Sequence, residues 1–264
     1  VSLTVLALGV GVTVDVGGDR AQELHAALAG RWAPCVAPPG TDVVARVGAV
    51  LDSDPAVGAA AEAGGLASRP RLDDLLQVIT REVTVAAIDA VGGDHVLLHA
   101  ACLADRDTGR ATAFVASGGT GKTTLARTLG PGRWYVTDET VAVRSDGTVV
   151  PYPKPLSLRR SPASDHKDET SPRSLGLDPA PAAARLPLAQ VLLLEREDGP
   201  PGHLHVSPLG TLDAIDALVP HTSHLLDLDE PLHRLAALLE RIGGAARVSY
   251  SEAADLAPLL EAAT

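Results

Sequence analysis

Residues 116–123, Ala-Ser-Gly-Gly-Thr-Gly-Lys-Thr, carry the side-chain types needed to hold a string of phosphates. The phosphate-loop pattern is G-x-x-x-x-G-K-[ST], and the segment departs from it only at Ala116. Gly118, Gly119 and Gly121 allow successive backbone N–H groups to turn inward on an anion. Lys122 would bring a point charge to the β- and γ-phosphates, and the Thr123 hydroxyl could hold Mg²⁺. Ser117, Thr120 and Thr124 complete the candidate nucleotide-binding set. Alanine at the first position is tolerable where φ is negative. The competing reading is a glycine-rich strand–helix turn with an incidental lysine, and it leaves the G-K-T ending unexplained.

A phosphate loop specifies binding, not a reaction. The reaction needs an acid at the end of a neighbouring strand, where a carboxylate reaches Mg²⁺ directly or through water. Asp138 and Glu139 follow the apolar run of residues 134–137 at that place. Asp138 is therefore a candidate metal contact or proton acceptor, with Glu139 beside it; the alternative is a solvated strand-end turn. His99 lies on the preceding apolar strand. Its two readings are a packed strand histidine or a group that orients an acid or touches phosphate. Lys154 and Arg159 are weaker candidates for a clamp on phosphate or an acidic substrate, against a plain solvated face. Only three of the 22 basic residues are lysines, which gives the placement of Lys122 and Lys154 some weight.

The elements that must position these residues are legible in outline. Residues 95–104 read as a buried strand, a turn follows at 105–109, and residues 110–116 read as a second strand feeding the loop. Residues 121–130 read as a helix ending at Gly130, and 133–143 as a third strand. Asp146-Gly147 marks a hairpin. Upstream, 68–91 is the clearest helix, with Ser68 as cap, Pro70 in the first turn and Leu72, Leu75, Leu76, Ile79, Val83, Ala86, Ala87 and Ala90 on one face. Residues 1–67 read as a small strand–helix–strand lead-in ending in a Gly/Ala-rich connection. Residues 161–187, rich in Pro, Ser and charge, read as a long mobile loop, of which 164–173 could close over a substrate. Beyond it come a strand at 189–197, a helix at 210–221, a helix after Asp229, a strand at 246–251 and a terminal helix. The domain division expected is 1–67 and 68–264.

Composition narrows the classes. At 264 residues with 45% hydrophobic and 2% aromatic content, the core is built from Ala, Val and Leu. A net charge of −11 argues against a nucleic-acid partner. No apolar run is long enough to span a membrane, and the alternating N-terminus does not read as a signal peptide. Cys35 and Cys102 make neither a disulfide framework nor a metal-ligand spacing. Cys102 reads as a small core residue, and a reducing cytoplasm is the expected compartment. His203, His205, His221 and His224 read as loop histidines without ligand geometry.

The stretch from His99 through the loop to Thr137-Asp138-Glu139 resembles the catalytic segment of HPr kinase/phosphorylase and its HPr-kinase-like relatives, including those of peptide natural-product pathways such as lasso peptide kinases. That family has a His on a strand hairpin, a Ser-Gly-x-Gly-Lys-Ser/Thr loop, a helix, and a strand ending in paired acids. The resemblance covers residues 95–145. It implies an α/β fold with the core shared by HPr kinases and phosphoenolpyruvate carboxykinases, a mixed sheet with flanking helices. It implies ATP and Mg²⁺ as cofactors and transfer of the γ-phosphate to a Ser/Thr-type hydroxyl on a peptide or small molecule. Lys122 and Thr123 would bind phosphate and metal, and Asp138 and Glu139 would match the paired acids that serve as base and metal contact. The pattern departs at Thr124, at Glu139 and in lacking the family's later Glu-Ile-Arg-Gly segment, so HPr is not the expected acceptor. A nucleotide-binding ATPase switch without an acceptor is the rival reading. The expected partners are the nucleotide and the hydroxyl acceptor, with self-association into a homo-oligomer and the choice of ATP over GTP left open.

Overall fold

Apolar residues alternate from Ser2 to Gly17, but the run is two strands, β1 (Ser2–Ala7) and β2 (Val10–Gly17). The chain reverses where Leu8 and Gly9 take φ values of 50° and 88°, the left-handed pair that suits a two-residue hairpin. The computed structural model describes residues 1–160 and 166–261. After β2 come α1 (Ala21–Arg31), β3 (Val43–Val50), α2 (Pro55–Ala63), β4 (Ala67–Ser68) and α3 (Leu72–Val91). Then follow β5 (Val96–Ala104), β6 (Ala111–Val115), α4 (Lys122–Leu129), β7 (Trp134–Thr137), β8 (Thr140–Val143) and β9 (Thr148–Val149). The remainder is β10 (Leu156–Arg159), β11 (Lys167–Thr170), β12 (Asp178–Pro179), β13 (Leu186–Arg196), β14 (Leu204–Leu209), α5 (Thr211–Leu218), β15 (Thr222–Ser223), α6 (Pro231–Ile242), β16 (Ala245–Tyr250) and α7 (Ala257–Glu261). This is a mixed α/β protein.

The chain forms two compact units, Val1–Ala90 with Pro153–Leu175, and Val91–Tyr152 with Gly176–Thr264. The division therefore runs through the end of α3 and returns a middle segment to the first unit, whereas the sequence suggested one cut at residue 67. In the first unit the sheet order is β1-β2-β3-β4, and β10 pairs separately with β11. Leu75, Leu76, Ile79, Val83 and Ala87 of α3 are fully buried, while Leu72 and Ala86 at the margins of the expected face are half-buried and Ala90, near the helix end, is exposed. Ser68 does not cap α3: it pairs in β4 with Val50, and the helix begins at Leu72 with Leu75 N–H donating to Arg71 O. The supposed Gly/Ala connection contains α2, started by the Asp54 carboxylate accepting from Ala56 N–H, with Pro55 in the first turn.

In the second unit the strand pairings run β13–β6–β5–β8–β9 and return to β13. β16 and β14 extend the sheet beyond β13, and β7 and β12 extend it beyond β5. Small side chains make this close strand packing possible: Ala100, Cys102, Ala104, Ala111, Ala113 and Val115 all belong to the core. The β5–β6 hairpin matches the sequence reading, and so does the Asp146-Gly147 turn, where Gly147 has φ of 82° and the Asp146 carboxylate accepts from Thr148 N–H and Oγ1–H. Residues 166–187 are not one long loop. They hold β11, paired with β10, a 3-10 turn at Pro172–Leu175, and β12, paired with β7. The buried Glu169 of β11 accepts from Ser157 Oγ–H of β10 at 2.6 Å, an anchor that composition alone conceals. The first part of the expected loop, 161–165, lies outside the described residues. Glu230, with φ of 50°, rather than Asp229, precedes the first turn of α6. No helix among the described residues is long and apolar enough to cross a membrane.

Candidate functional site

β5 changes partner on both of its edges at one level. On one edge, β6 runs beside Ala100–Ala104 and ends with Val115 opposite Ala100, while β15 pairs with Leu97 and Leu98. On the other edge, β7 reaches Cys102 through Thr137, while β8 pairs with residues 96–99 and ends with Thr140 opposite His99. The first break releases the glycine loop. The second is filled by Asp138 and Glu139, where the sequence suggested an uninterrupted strand over 133–143. Two adjacent acids are poor strand formers, and across the break the Glu139 carbonyl accepts from Ala100 N–H at 3.1 Å. His99 stands between the two breaks.

The loop has the backbone its residues demand. Ala116 is buried and is not among the residues with positive φ. Gly119 and Gly121 have φ of 84° and 98°, the left-handed region that favours glycine. Gly121 forms the start of α4, so the N-terminal end of that helix opens on the loop. Thr120 Oγ1–H donates to Ser117 O at 2.8 Å and braces the turn. Ser117, Gly118, Gly119 and Thr124 are exposed.

Lys122 is buried, with its side chain folded back across the loop so that Nζ donates to Ala116 O at 2.7 Å and Ser117 O at 2.9 Å. Burial lowers its pKa to about 8, against the opposing pull of Asp138 and Glu139. Thr123 Oγ1–H donates to Asp138 Oδ2 at 2.7 Å, and Tyr135 O–H donates to Asp138 Oδ1 at 3.0 Å. Asp138 is thus nearly fully buried with both oxygens engaged. Burial first, then the Lys122 ammonium, hold the half-buried His99 imidazole below the ordinary histidine range, with Glu139 pulling it the other way.

The structure therefore brings together Lys122, Thr123, Asp138, Glu139 and His99. It adds two residues that the sequence reading left out. Tyr135, three residues before Asp138, fixes the carboxylate; the aromatic at that position was the available signal. His221 ends a 3-10 turn, Val219–His221, and β15 follows it with Thr222 opposite Leu98, which sets His221 at the level of His99. Its imidazole is also held low, by burial and then by Lys122. No local signal marks it, because its place comes from pairing with a strand more than 120 residues away.

Lys154 and Arg159 belong to the first unit. Lys154 is no solvated surface residue: it is buried, Nζ donates to Pro155 O at 3.1 Å, and its charge acts on the Cys35 thiol. Arg159 is exposed at the end of β10, opposite Lys167. Of the remaining loop histidines, His224 meets Asp227 at 2.6 Å and His205 meets Ser207 at 3.0 Å. No cluster of three or more His, Cys, Asp or Glu residues suited to a metal ion occurs among the described residues. No family model matches the chain, and no curated protein matches it.

Proposed function

We propose that this chain is a nucleotide- and Mg²⁺-dependent phosphotransferase of the HPr-kinase-like kind, with a P-loop kinase core, that passes a γ-phosphate to a Ser/Thr-type hydroxyl on a peptide or small molecule. The observation that carries the reading is the convergence of the glycine loop and the two acids on one level of β5, with Thr123 bonded to Asp138. A turn that merely linked strand to helix would not need a buried lysine, nor an acid pair facing it across β5.

The residues present fit the implied groups. A Cβ added at Gly118, Gly119 or Gly121 would meet no protein atom within 4 Å, so space is open along the loop for phosphate oxygens. The hydroxyl and carboxylate of Thr123 and Asp138 are hard oxygen donors, suited to Mg²⁺ that keeps water and phosphate as its other ligands. Bound MgATP would supply the phosphoryl group and neutralise part of its charge. Lys122 would exchange its two carbonyl acceptors for phosphate oxygens. Asp138, oriented by Tyr135 and Thr123, suits the metal side. Glu139, half-buried and beside His99, suits acceptance of the proton from the acceptor hydroxyl as the new O–P bond forms and the bond to ADP breaks. His99 would orient Glu139 or touch phosphate.

The test is calorimetric titration and thermal melting with MgATP and MgGTP, followed by labelled-phosphate transfer to peptide and small-molecule alcohols. Saturable binding with a labelled alcohol product supports the reading. Release of inorganic phosphate alone, with no labelled acceptor across the panel, points instead to an ATPase switch. No binding and no rise in melting temperature removes both.

A further inference from the structure

His221 reaches the site by a route that the glycine-loop pattern does not contain, and its backbone is held from both sides. Leu218, at the end of α5, is buried, Pro220 restricts the turn, and Thr222 Oγ1–H donates to Val219 O at 2.7 Å. Directly afterwards Thr222 and Ser223 pair with Leu98 and Leu97. The imidazole is therefore presented by fixed backbone, the arrangement that a contact residue requires. Its charged and titratable neighbours are Lys122 from α4 and His99 from β5, while His99 also faces Glu139 from the β7–β8 break. The His221 imidazole, which carries a ring N–H in either protonation state, and the Lys122 ammonium put hydrogen-bond donors at this level of β5, which suits a phosphate oxygen.

We propose that His221 is a contact residue for the outermost phosphate of the bound nucleotide, acting with His99 across the partner change on β5. The inference rests on the nucleotide reading above and deepens it. The loop amides and the start of α4 wrap the inner phosphates. The outer phosphate must lie where the acids and an acceptor can reach it, and that is the side on which His99, His221 and Glu139 gather. His221 would then distinguish a triphosphate from a diphosphate, since only the former extends to it.

The experiment measures affinity for MgATP and MgADP by calorimetry at pH 7.5 in the wild type, His221→Ala, His221→Gln and Lys122→Met. The readout is the ratio of the two affinities within each folded variant, so a general loss of stability does not imitate the effect. In His221→Ala the preference for ATP falls about tenfold, the size of one lost hydrogen bond to a charged group, while ADP affinity stays the same. His221→Gln, which keeps an N–H donor, retains most of the preference. Lys122→Met weakens both nucleotides. Equal losses of ATP and ADP in His221→Ala, an unchanged ratio, or a glutamine variant as impaired as alanine each overturn the proposal and leave the nucleotide site standing. If the wild type binds neither nucleotide, the nucleotide reading falls and the proposal falls with it.

Discussion

Lys122 carries its charge into a place that disfavours charge. Each pKa unit of depression corresponds to about 1.4 kcal/mol of differential interaction between the protonated and neutral forms, and burial takes this ammonium from 10.5 to about 8. The folded value lies below the unfolded one, so the unfolded chain binds more protons between about 8 and 10.5. The penalty on the folded state is full below pH 8 and fades as pH rises through that window. Removing the charge should therefore help the ligand-free protein. Lys122→Met is expected to raise the melting temperature at pH 7, by a gain that the two lost carbonyl bonds reduce. If the chain binds MgATP as proposed, the same variant should lose the rise in melting temperature that the nucleotide would give the wild type. A lower melting temperature in the variant without ligand would show that the two carbonyl bonds outweigh the desolvation. At this scale the sequence was most informative where spacing along the chain decides the geometry: Lys122, Thr123 and the loop glycines are local to one turn. Tyr135 carried only the faint signal of an aromatic three residues before the acid, and His221 carried none. The first acts through another side chain, and the second is placed by a strand pairing that no local pattern encodes.

The glycines of the loop divide between two roles, and the element shows which is which. Gly121 opens α4 at φ of 98°, and Gly119 sits at 84°, where a side chain costs about 1–2 kcal/mol. Gly118 is not among the residues of positive φ, and a Cβ there would meet no protein atom within 4 Å. Gly121→Ala should accordingly lower stability by about 1–2 kcal/mol, read from denaturant melts, whereas Gly118→Ala should leave the melt unchanged. A matching loss in both variants would mean that the loop backbone differs from the one described. The elements that the sequence concealed have physical reasons of the same kind. Residues 133–143 read as one strand because apolar residues flank the acids on both sides, yet the pair Asp138-Glu139 breaks the ladder between β7 and β8. β11 was hidden in a stretch rich in proline and charge, since its anchor, Glu169, is a buried acid that accepts from a cross-strand serine. α2 had a visible start in Asp54-Pro55, and its Gly/Ala content masked it.

At the scale of the whole chain, each of the two units holds one free, buried cysteine, Cys35 in the first and Cys102 in the second. Burial pushes both thiols well above their ordinary range, and the nearby Lys154 charge only partly offsets this at Cys35. Neither presents a thiolate in the folded state, so each becomes reactive only when its own core opens. The pair thus reports on the two units separately within an unaltered chain. Alkylation at pH 8 without denaturant should leave both cysteines unmodified for hours. With rising denaturant, peptide mass spectrometry should return a midpoint for each. Lys122, Asp138, His99 and His221 all lie in the unit of Cys102, whose strand β5 also carries His99. A ligand that binds only the folded state at about 100 times its dissociation constant adds about 2.7 kcal/mol. MgATP should therefore move the Cys102 midpoint to higher denaturant. The Cys35 midpoint should move with it only if the two units unfold as one. A Cys102 midpoint unmoved by saturating MgATP, in a protein shown by calorimetry to bind it, would take the nucleotide site away from β5. A Cys35 midpoint that moved alone would assign the site to the first unit.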